Sequence, residues 1–237
     1  MKKNSKTKLS EPVSIVAHQL KNPISVLNGC LEMLLSGEIG EINDKQREYL
    51  QDAMENVGNM TRIVKDILDV SRIEGGKYEI NPKPVDLLKI SQKVISDFSS
   101  LSKASNCKIT VDYDNNLPLV FVDPQKVRLV IENLISNSLK YKSAGPGKIE
   151  IRLEKKNKKV IFSCKDNGIS IKKEDIDKVF SKFYRSEEAI KLDPSGTGLG
   201  LYLSKAIVEL NGGKIWFEKN KGKGITFYFS LPISPSI

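Results

Sequence analysis

The sequence predicts a chain in two parts. An all-α helical hairpin over residues 1–76, pairing with a second copy into a four-helix bundle, is followed over residues 77–237 by an α+β two-layer sandwich. Three observations lead there. The first is a change of hydrophobic period near Gly75 and Gly76. Before it, Leu20, Ile24, Leu27, Leu31 and Leu34 recur at helical three-four spacing, and after a loop at 36–43 so do Leu50, Ala53, Val57, Met60, Val64 and Ile67. The second is the narrowness of those stripes, which read as seams of coiled-coil type with a polar remainder. Two such helices leave apolar surface uncovered. A second hairpin would cover it, which predicts a homodimer; cover by the rest of the chain is the alternative. The third is the mixed pattern after Lys77. Strand-like runs at 78–80, 108–113, 119–122, 149–153, 160–164, 214–218 and 225–231 are interspersed with helical segments at about 87–104, 124–142 and 199–210. Pro124 suits a first helical turn with Asp123 as N-cap, and Gly212-Gly213 closes the last helix. Helices on one face of a sheet make the sandwich.

Composition narrows the function classes. Apolar residues are 39% and charged residues 28% of the 237, ordinary for a globular protein. No run approaches the roughly 18–20 apolar residues a membrane span requires. The opening MKKNSKTKLSEP lacks the apolar core of a secretion signal. The expectation is a cytoplasmic protein without a membrane segment in this chain, with an anchor conceivable if a sensor part is missing. Cys30, Cys107 and Cys164 are too scattered for a disulfide framework or metal spacing and read as reduced thiols. The net charge of +9 could attract nucleic acid, anionic lipid or an acidic protein. Much of it lies in Lys2, Lys3, Lys6 and Lys8 and in the run 155–159, which falls between two strands as a solvated turn. No zinc-finger or base-stacking pattern supports nucleic acid.

Four clusters carry chemistry. His18 is the only histidine. It lies two positions before Leu20, roughly 200° round a helix, which predicts an outward imidazole. A lone histidine is commonly structural, yet an exposed one is a competent nucleophile near neutral pH. Pro23 cannot donate to the carbonyl of Gln19, so it should kink the helix just beyond; a softened approach site and a plain kink are both open. In the second cluster Asn133, Asn137, Lys140 and Tyr141 share one helical face. Such a face is often only solvated. Amide oxygens nonetheless suit Mg²⁺, a lysine meets phosphate as a point charge, and the tyrosine offers a wall or hydroxyl to a nucleoside. The third, Asp166-Asn167-Gly168-Ile169-Ser170-Ile171, follows a strand. Its carboxylate can accept the adenine amino proton and Gly168 permits close approach of a flat base, though Asp-Asn-Gly is also a common turn. The fourth, Gly196-Thr197-Gly198-Leu199-Gly200-Leu201, opens a helix as an anion site does. It is neither a Walker nor a dinucleotide motif, and a flexible linker is the alternative. Phe180, Phe183, Tyr184 and Arg185, then 186–194, look like an anchored lid, with the two phenylalanines as core residues the other reading.

The segment from Ala17 to Pro23 resembles the histidine box of two-component sensor histidine kinases. The other clusters follow in the order of that family's asparagine, first glycine, phenylalanine and second glycine boxes, over nearly the whole chain. The second part resembles the gyrase and MutL type of ATP-binding domain. The resemblance implies autophosphorylation on His18 and phosphotransfer to an aspartate of a response regulator receiver domain. It implies ATP and Mg²⁺ as cofactors, with Asn133 and Asn137 on the metal and Lys140, Tyr141, Asp166, Gly168, Ser170, Ile171, Tyr184, Arg185 and residues 196–201 around the nucleotide. Asn22, one turn after His18, stands where the family positions water for dephosphorylating its partner. Two departures stand out. Gln19 replaces the usual acid after the histidine and cannot act as a base. Ser170 replaces the second glycine of D-x-G-x-G, which predicts weaker nucleotide binding. A phosphatase-biased or weakly active member, or a nucleotide-binding scaffold, are the alternatives.

Overall fold

A computed structural model describes residues 10–234, apart from the side chains of 10–14 and of His18. Lys2, Lys3, Lys6 and Lys8, and the outward orientation expected of His18, lie outside the described residues. The chain divides into two compact units, Met1–Tyr78 and Glu79–Ile237.

The first unit is a hairpin of α1 (Ser10–Ser36) and α2 (Asp44–Glu74). α1 runs through Pro23 as one helix despite the missing donor there. α2 begins on a capping box: the Asn43 side chain accepts from the Gln46 N–H at 2.9 Å, and the Gln46 side chain accepts from the Asn43 N–H at 2.9 Å. Its core is Ala17, Ile24, Val57 and Val64, flanked by Leu31, Ile67 and Leu68. The expected seam therefore splits. Ile24 and Leu31 face α2, whereas Leu20 and Leu27 stay 46% and 50% exposed. Alternate positions of a heptad point to different neighbours, which a single stripe does not resolve.

The second unit opens with β1 (Lys83–Val85), α3 (Leu87–Asp97) and α4 (Ser99–Ala104), then β2 (Cys107–Tyr113) and β3 (Val120–Val122). The strand expected at 78–80 is absent. The pairing segment is instead β1, antiparallel to β3. The Asn81 N–H is taken by the Asp123 carboxylate at 2.9 Å rather than by a strand. The single helix expected over 87–104 breaks at Phe98, whose N–H still bonds Val94 at 3.1 Å.

α5 (Pro124–Lys140) leads into β4 (Gly147–Lys156) and β5 (Lys159–Asp166). Asp123 caps α5 by accepting from the N–H groups of Gln125 at 3.0 Å and Lys126 at 3.1 Å, with Pro124 in the first turn. A 3₁₀ turn (Lys173–Lys178) and the short α6 (Glu187–Leu192) follow, then α7 (Gly200–Leu210), β6 (Lys214–Lys219) and β7 (Ile225–Pro232). The strand order is β2-β4-β5-β7-β6. Only β2 and β4 are parallel, because α5 supplies the crossover between them. Ile149, Ile151, Leu153, Val160, Phe162, Cys164, Phe227, Phe229 and Leu231 are buried under α5 and α7. Paired Phe162 and Phe229 stack with centroids 4.7 Å apart. The lysine run turns at Asn157, where φ is +56°, between β4 and β5. Gly212 at φ +72° ends α7, and the Gly213 N–H returns to Val208 at 2.9 Å. Burial pushes the Cys164 thiol up to about 12, and all three cysteines are free. No helix of the described residues is long and apolar enough to cross a membrane.

Candidate functional site

α5 buries Val127, Val130, Ile131, Leu134, Ile135 and Leu139 on one side, which turns Asn133, Asn137, Lys140 and Tyr141 to the other. Asn133 donates to the buried Ser204 hydroxyl on α7 at 2.9 Å, and Asn137 donates to Asn133 Oδ1 at 3.5 Å. A Cβ at Gly200 would clash with Asn133 Oδ1 and push that amide out of its present place, so the start of α7 and the Asn133 side chain are in close contact. The amide pair and the glycine turn thus form one surface.

Asp166 ends β5 in a cup of donors. Its Oδ1 accepts from the N–H groups of Gly168 at 2.9 Å and Ile225 at 3.3 Å, and its Oδ2 accepts from the Ser138 hydroxyl at 3.3 Å. Burial raises its pKa above the ordinary carboxylate range, opposed by those donors. Gly168 has no room for a Cβ beneath the Tyr141 carbonyl, which accepts the Ile169 N–H at 3.0 Å. Ile171 is half-buried beyond this turn. The Ser170 hydroxyl accepts from the Gly224 N–H at 3.2 Å.

The segment expected to act as a lid is organised around Arg185. Its guanidinium donates to the carbonyls of Gly196 at 2.9 Å, Ala189 at 2.9 Å and Pro194 at 3.2 Å, and also to Asp193. Gly196 lies directly beneath it: a Cβ there would sit 2.9 Å from Arg185 Cζ and displace the guanidinium. Gly198, at φ +69°, offers its carbonyl to the Phe183 N–H at 3.1 Å. Thr197 accepts from the Leu199 N–H at 3.3 Å, Leu199 is buried and Leu201 half-buried. Lys140 pairs with lid residue Asp193 at 3.0 Å. Burial works against ionisation of Asp193, but Ser195 and Lys140 outweigh it and hold its carboxyl below the usual range. The Tyr184 phenol is pushed up to about 12 by desolvation and by its bond to Asp175. Phe180 is half-buried against Phe217 and Phe227, whereas Phe183 is exposed.

Asn133, Asn137 and Gly200 come together, as do Asp166, Gly168 and Tyr141. Tyr184 and Arg185 are engaged within the lid. Gln19 and Asn22 are exposed on α1, in the other unit. Sequence reasoning missed Ser138 and Ser204, and took Asp193 only as part of the stretch 186–194. Ser138 carried a signal, being next to Asn137 in the same helix; the others meet the site only through tertiary packing.

Residues 8–76 match the His Kinase A (phospho-acceptor) domain, and residues 122–235 match the histidine kinase-, DNA gyrase B- and HSP90-like ATPases. The chain belongs to the sensor histidine kinases. It is 33% identical to the sensor histidine kinase WalK of Bacillus subtilis over 94% of this chain and 36% of that protein. It is 29% identical to the circadian input-output histidine kinase CikA of Synechococcus elongatus, over 94% of this chain and 30% of that one. The chain thus spans about a third of the length of these curated relatives. Among solved structures, a catalytic domain of histidine kinase ThkA is 30% identical at TM-score 0.57, covering 66% of this chain and 97% of that one. Full-length ShkA with AMPPNP shares the fold at TM-score 0.79 and 22% identity, covering 95% of this chain and 46% of that one. The second unit is thus built on an ATP-binding fold.

Proposed function

We propose that this histidine kinase uses ATP to phosphorylate its own His18 and passes the phosphoryl group to an aspartate of a response regulator receiver domain. In this reading residues 1–76 dimerise and accept the phosphoryl group, and residues 77–237 bind ATP. The observation that carries it is the asparagine side of α5 closed by the glycine turn, with Asn133 bonded to Ser204 and its amide oxygen set close against Gly200.

The residues fit Mg²⁺ and a triphosphate. Asn133 and Asn137 bring neutral oxygen donors suited to a hard cation that phosphate oxygens also hold. When bound, Mg²⁺ supplies charge neutralisation on the phosphates. Lys140 adds a point charge on exchanging Asp193 for phosphate, Asp166 accepts from the base amino group, and residues 196–201 line the phosphates with backbone. An amide at position 133 cannot act as a general base toward water, which suits transfer to a histidine over hydrolysis. A His18 nitrogen attacks the γ-phosphorus, the bond to the ADP oxygen breaks and ADP leaves with the electron pair. Positioning and electrostatics supply most of the catalysis. Gln19 cannot accept the imidazole proton, which then leaves to water. The phosphoryl group next moves from nitrogen to a carboxylate oxygen of the regulator, a reading supported by the structure of the relative ThkA with response regulator protein TrrA, 26% identical over 95% of this chain. Asn22 stands one turn from His18 for the reverse, hydrolytic step. Leu20, Leu27 and Met60, exposed on the hairpin, supply the dimer face.

Incubation with γ-labelled ATP tests the assignment. Acid-labile label is expected on the unmodified chain and none on His18→Gln, with MgATP affinity unchanged. Persistent acid-labile label in that variant would overturn it. Gln19 favours a second reading, a slow kinase biased toward regulator dephosphorylation.

A further inference from the structure

The hairpin joining β6 to β7 lies flat against the end of β5. A Cβ at Gly224 would clash with the Asp166 carbonyl oxygen and stand 2.8 Å from Asn167 Cα. Asn220 fastens this hairpin. Its side-chain amide donates to the Asp166 carbonyl at 2.8 Å, while its oxygen accepts from the buried Thr226 hydroxyl at 2.6 Å. The Asn220 N–H bonds Gly224 at 3.3 Å and closes the loop. On the other flank the Ser170 hydroxyl accepts from the Gly224 N–H at 3.2 Å. Both ends of the Asp166–Ser170 turn are therefore bound to one short loop.

That loop also sets the carboxylate. Ile225, the residue after Gly224, supplies one of the two N–H groups on Asp166 Oδ1, so a shift of the loop turns the side chain. A carboxylate has about four acceptor positions. Gly168, Ile225 and Ser138 occupy three, leaving one on Oδ2. An amino group satisfies that position; the carbonyl that guanine presents in its place cannot donate. Selection of adenine thus depends on how closely the carboxylate is held in azimuth.

We infer that Asn220 and Ser170 are positioning residues, a two-ended strap that orients Asp166 toward the amino group of an adenine base. The inference rests on the ATP-binding reading above. It reverses the sign expected for Ser170 from the glycine pattern. The hydroxyl strengthens base recognition, and restoring glycine weakens it.

The test measures dissociation constants of MgATP, MgGTP and magnesium tripolyphosphate on the full chain, together with single-turnover labelling at saturating MgATP. Asn220→Ala and Ser170→Gly should each weaken MgATP by about 2- to 12-fold, the worth of one hydrogen bond. Each should lower the ATP-to-GTP preference with tripolyphosphate affinity held, and Asn220→Ala should leave the saturating rate where it is. Ser170→Thr, which keeps a hydroxyl, should retain the parent preference. Should Asn220→Ala fail to fold, Asn220→Asp decides: it keeps the acceptor for Thr226 and loses the donor to Asp166, so the preference should still fall. Unchanged ATP-to-GTP ratios in Ser170→Gly and either Asn220 variant, in a chain that binds ATP, would overturn the strap alone. No ATP binding by the unmodified chain would overturn the kinase reading and the strap with it.

Discussion

In the helical hairpin the buried apolar residues are Ala17, Ile24, Val57, Val64 and Val70, while Leu20, Val26, Leu27, Met33 and Met60 stand exposed. In the α+β unit Phe162, Phe229, Ile131, Leu134, Ile135, Ile149 and Leu153 are fully enclosed. The sandwich encloses these side chains between its own layers, although Leu101, Phe121 and Phe183 remain exposed at its surface; a two-helix hairpin has no second layer of its own. A well-enclosed core lets the sandwich tolerate the burial of Asp166 at its edge, and lets α5 turn a polar face outward without loss of anchorage. The hairpin's exposed stripe instead makes its stability a function of its partner.

The largest effect is expected at the hairpin. Leu20→Glu with Leu27→Glu puts four charges into the proposed dimer face and removes four leucines, each worth about 1.5–3 kcal/mol when buried. The dimer dissociation constant should rise by at least about 10³-fold. MgATP affinity and the melting of the α+β unit should not move. Sedimentation velocity reads the first and calorimetry the second. A dimer that survives the double substitution would show that the uncovered stripe serves something else.

Asp166→Asn probes the other side. The amide oxygen still accepts from Gly168 and Ile225, and its NH₂ can donate to the Ser138 hydroxyl, but it faces the base amino group as a second donor. MgATP affinity should fall about 10- to 100-fold, as for loss of a charged hydrogen bond. Stability should not fall with it. Because burial raises the Asp166 pKa, the folded state holds the proton more tightly than the unfolded chain does. This group therefore costs stability as pH rises from the unfolded carboxylate value through its raised folded value, and the cost persists at neutral pH. The amide removes it, so the melting temperature at pH 7 should stay level or rise. In the parent chain MgATP affinity should drop as pH falls through the same window. A lower melting temperature for the variant would show that the donors outweigh the burial.

What could be read from the sequence follows the same contrast. The strand-like runs 149–153, 160–164 and 225–231 fell within a few residues of β4, β5 and β7; β4 and β5 each bury one face, whereas β7 is buried on both. Asp123-Pro124 and Gly212-Gly213 marked helix ends because capping is local chemistry. The strand at 83–85 escaped notice since it contains Pro84 and owes its place to β3, a partner distant in sequence. At the site, asparagines on one turn of α5 and glycines before α7 were visible as spacing. The bonds that fix them were not. Ser204, Asp193 and Asn220 reach Asn133, Lys140 and Asp166 from 53 to 71 residues away. Ser170 was legible as a departure from a glycine, but the bond it makes with Gly224 was not.

Gln19→Glu returns to the hairpin, whose chemistry is carried by exposed side chains. General-base assistance is worth about 10²–10⁴-fold in favourable sites, and an exposed carboxylate recovers only part of it, so roughly tenfold faster single-turnover labelling of His18 is expected. Asn22 is untouched, and regulator dephosphorylation should change less. An unchanged rate at saturating MgATP would show that the proton already leaves without delay through water.

The smallest effect is expected where the α+β unit departs from regular backbone. In the hairpin, positive φ occurs at Gly37, Gly40 and Gly76; the non-glycine residues with positive φ among those described are Asn106, Asn116, Asn157 and Phe183, all in the second unit. Asparagine tolerates this region; phenylalanine does so at a cost of about 1–2 kcal/mol. Phe183 has φ +62° and is 66% exposed, so little burial offsets that cost. Its N–H bond to Gly198 is a backbone contact that any residue keeps. Phe183→Gly removes the strain but adds about 0.5–1 kcal/mol of unfolded-state entropy. The net expectation is a gain of up to about 1 kcal/mol in urea unfolding, with labelling as the second readout. A gain in stability with unchanged labelling would make the strain incidental to the lid. A gain with lost labelling would mean that the exposed ring acts in catalysis, with backbone strain held at the hinge of the lid for that purpose. A loss of stability would show instead that the ring makes contacts worth more than the strain.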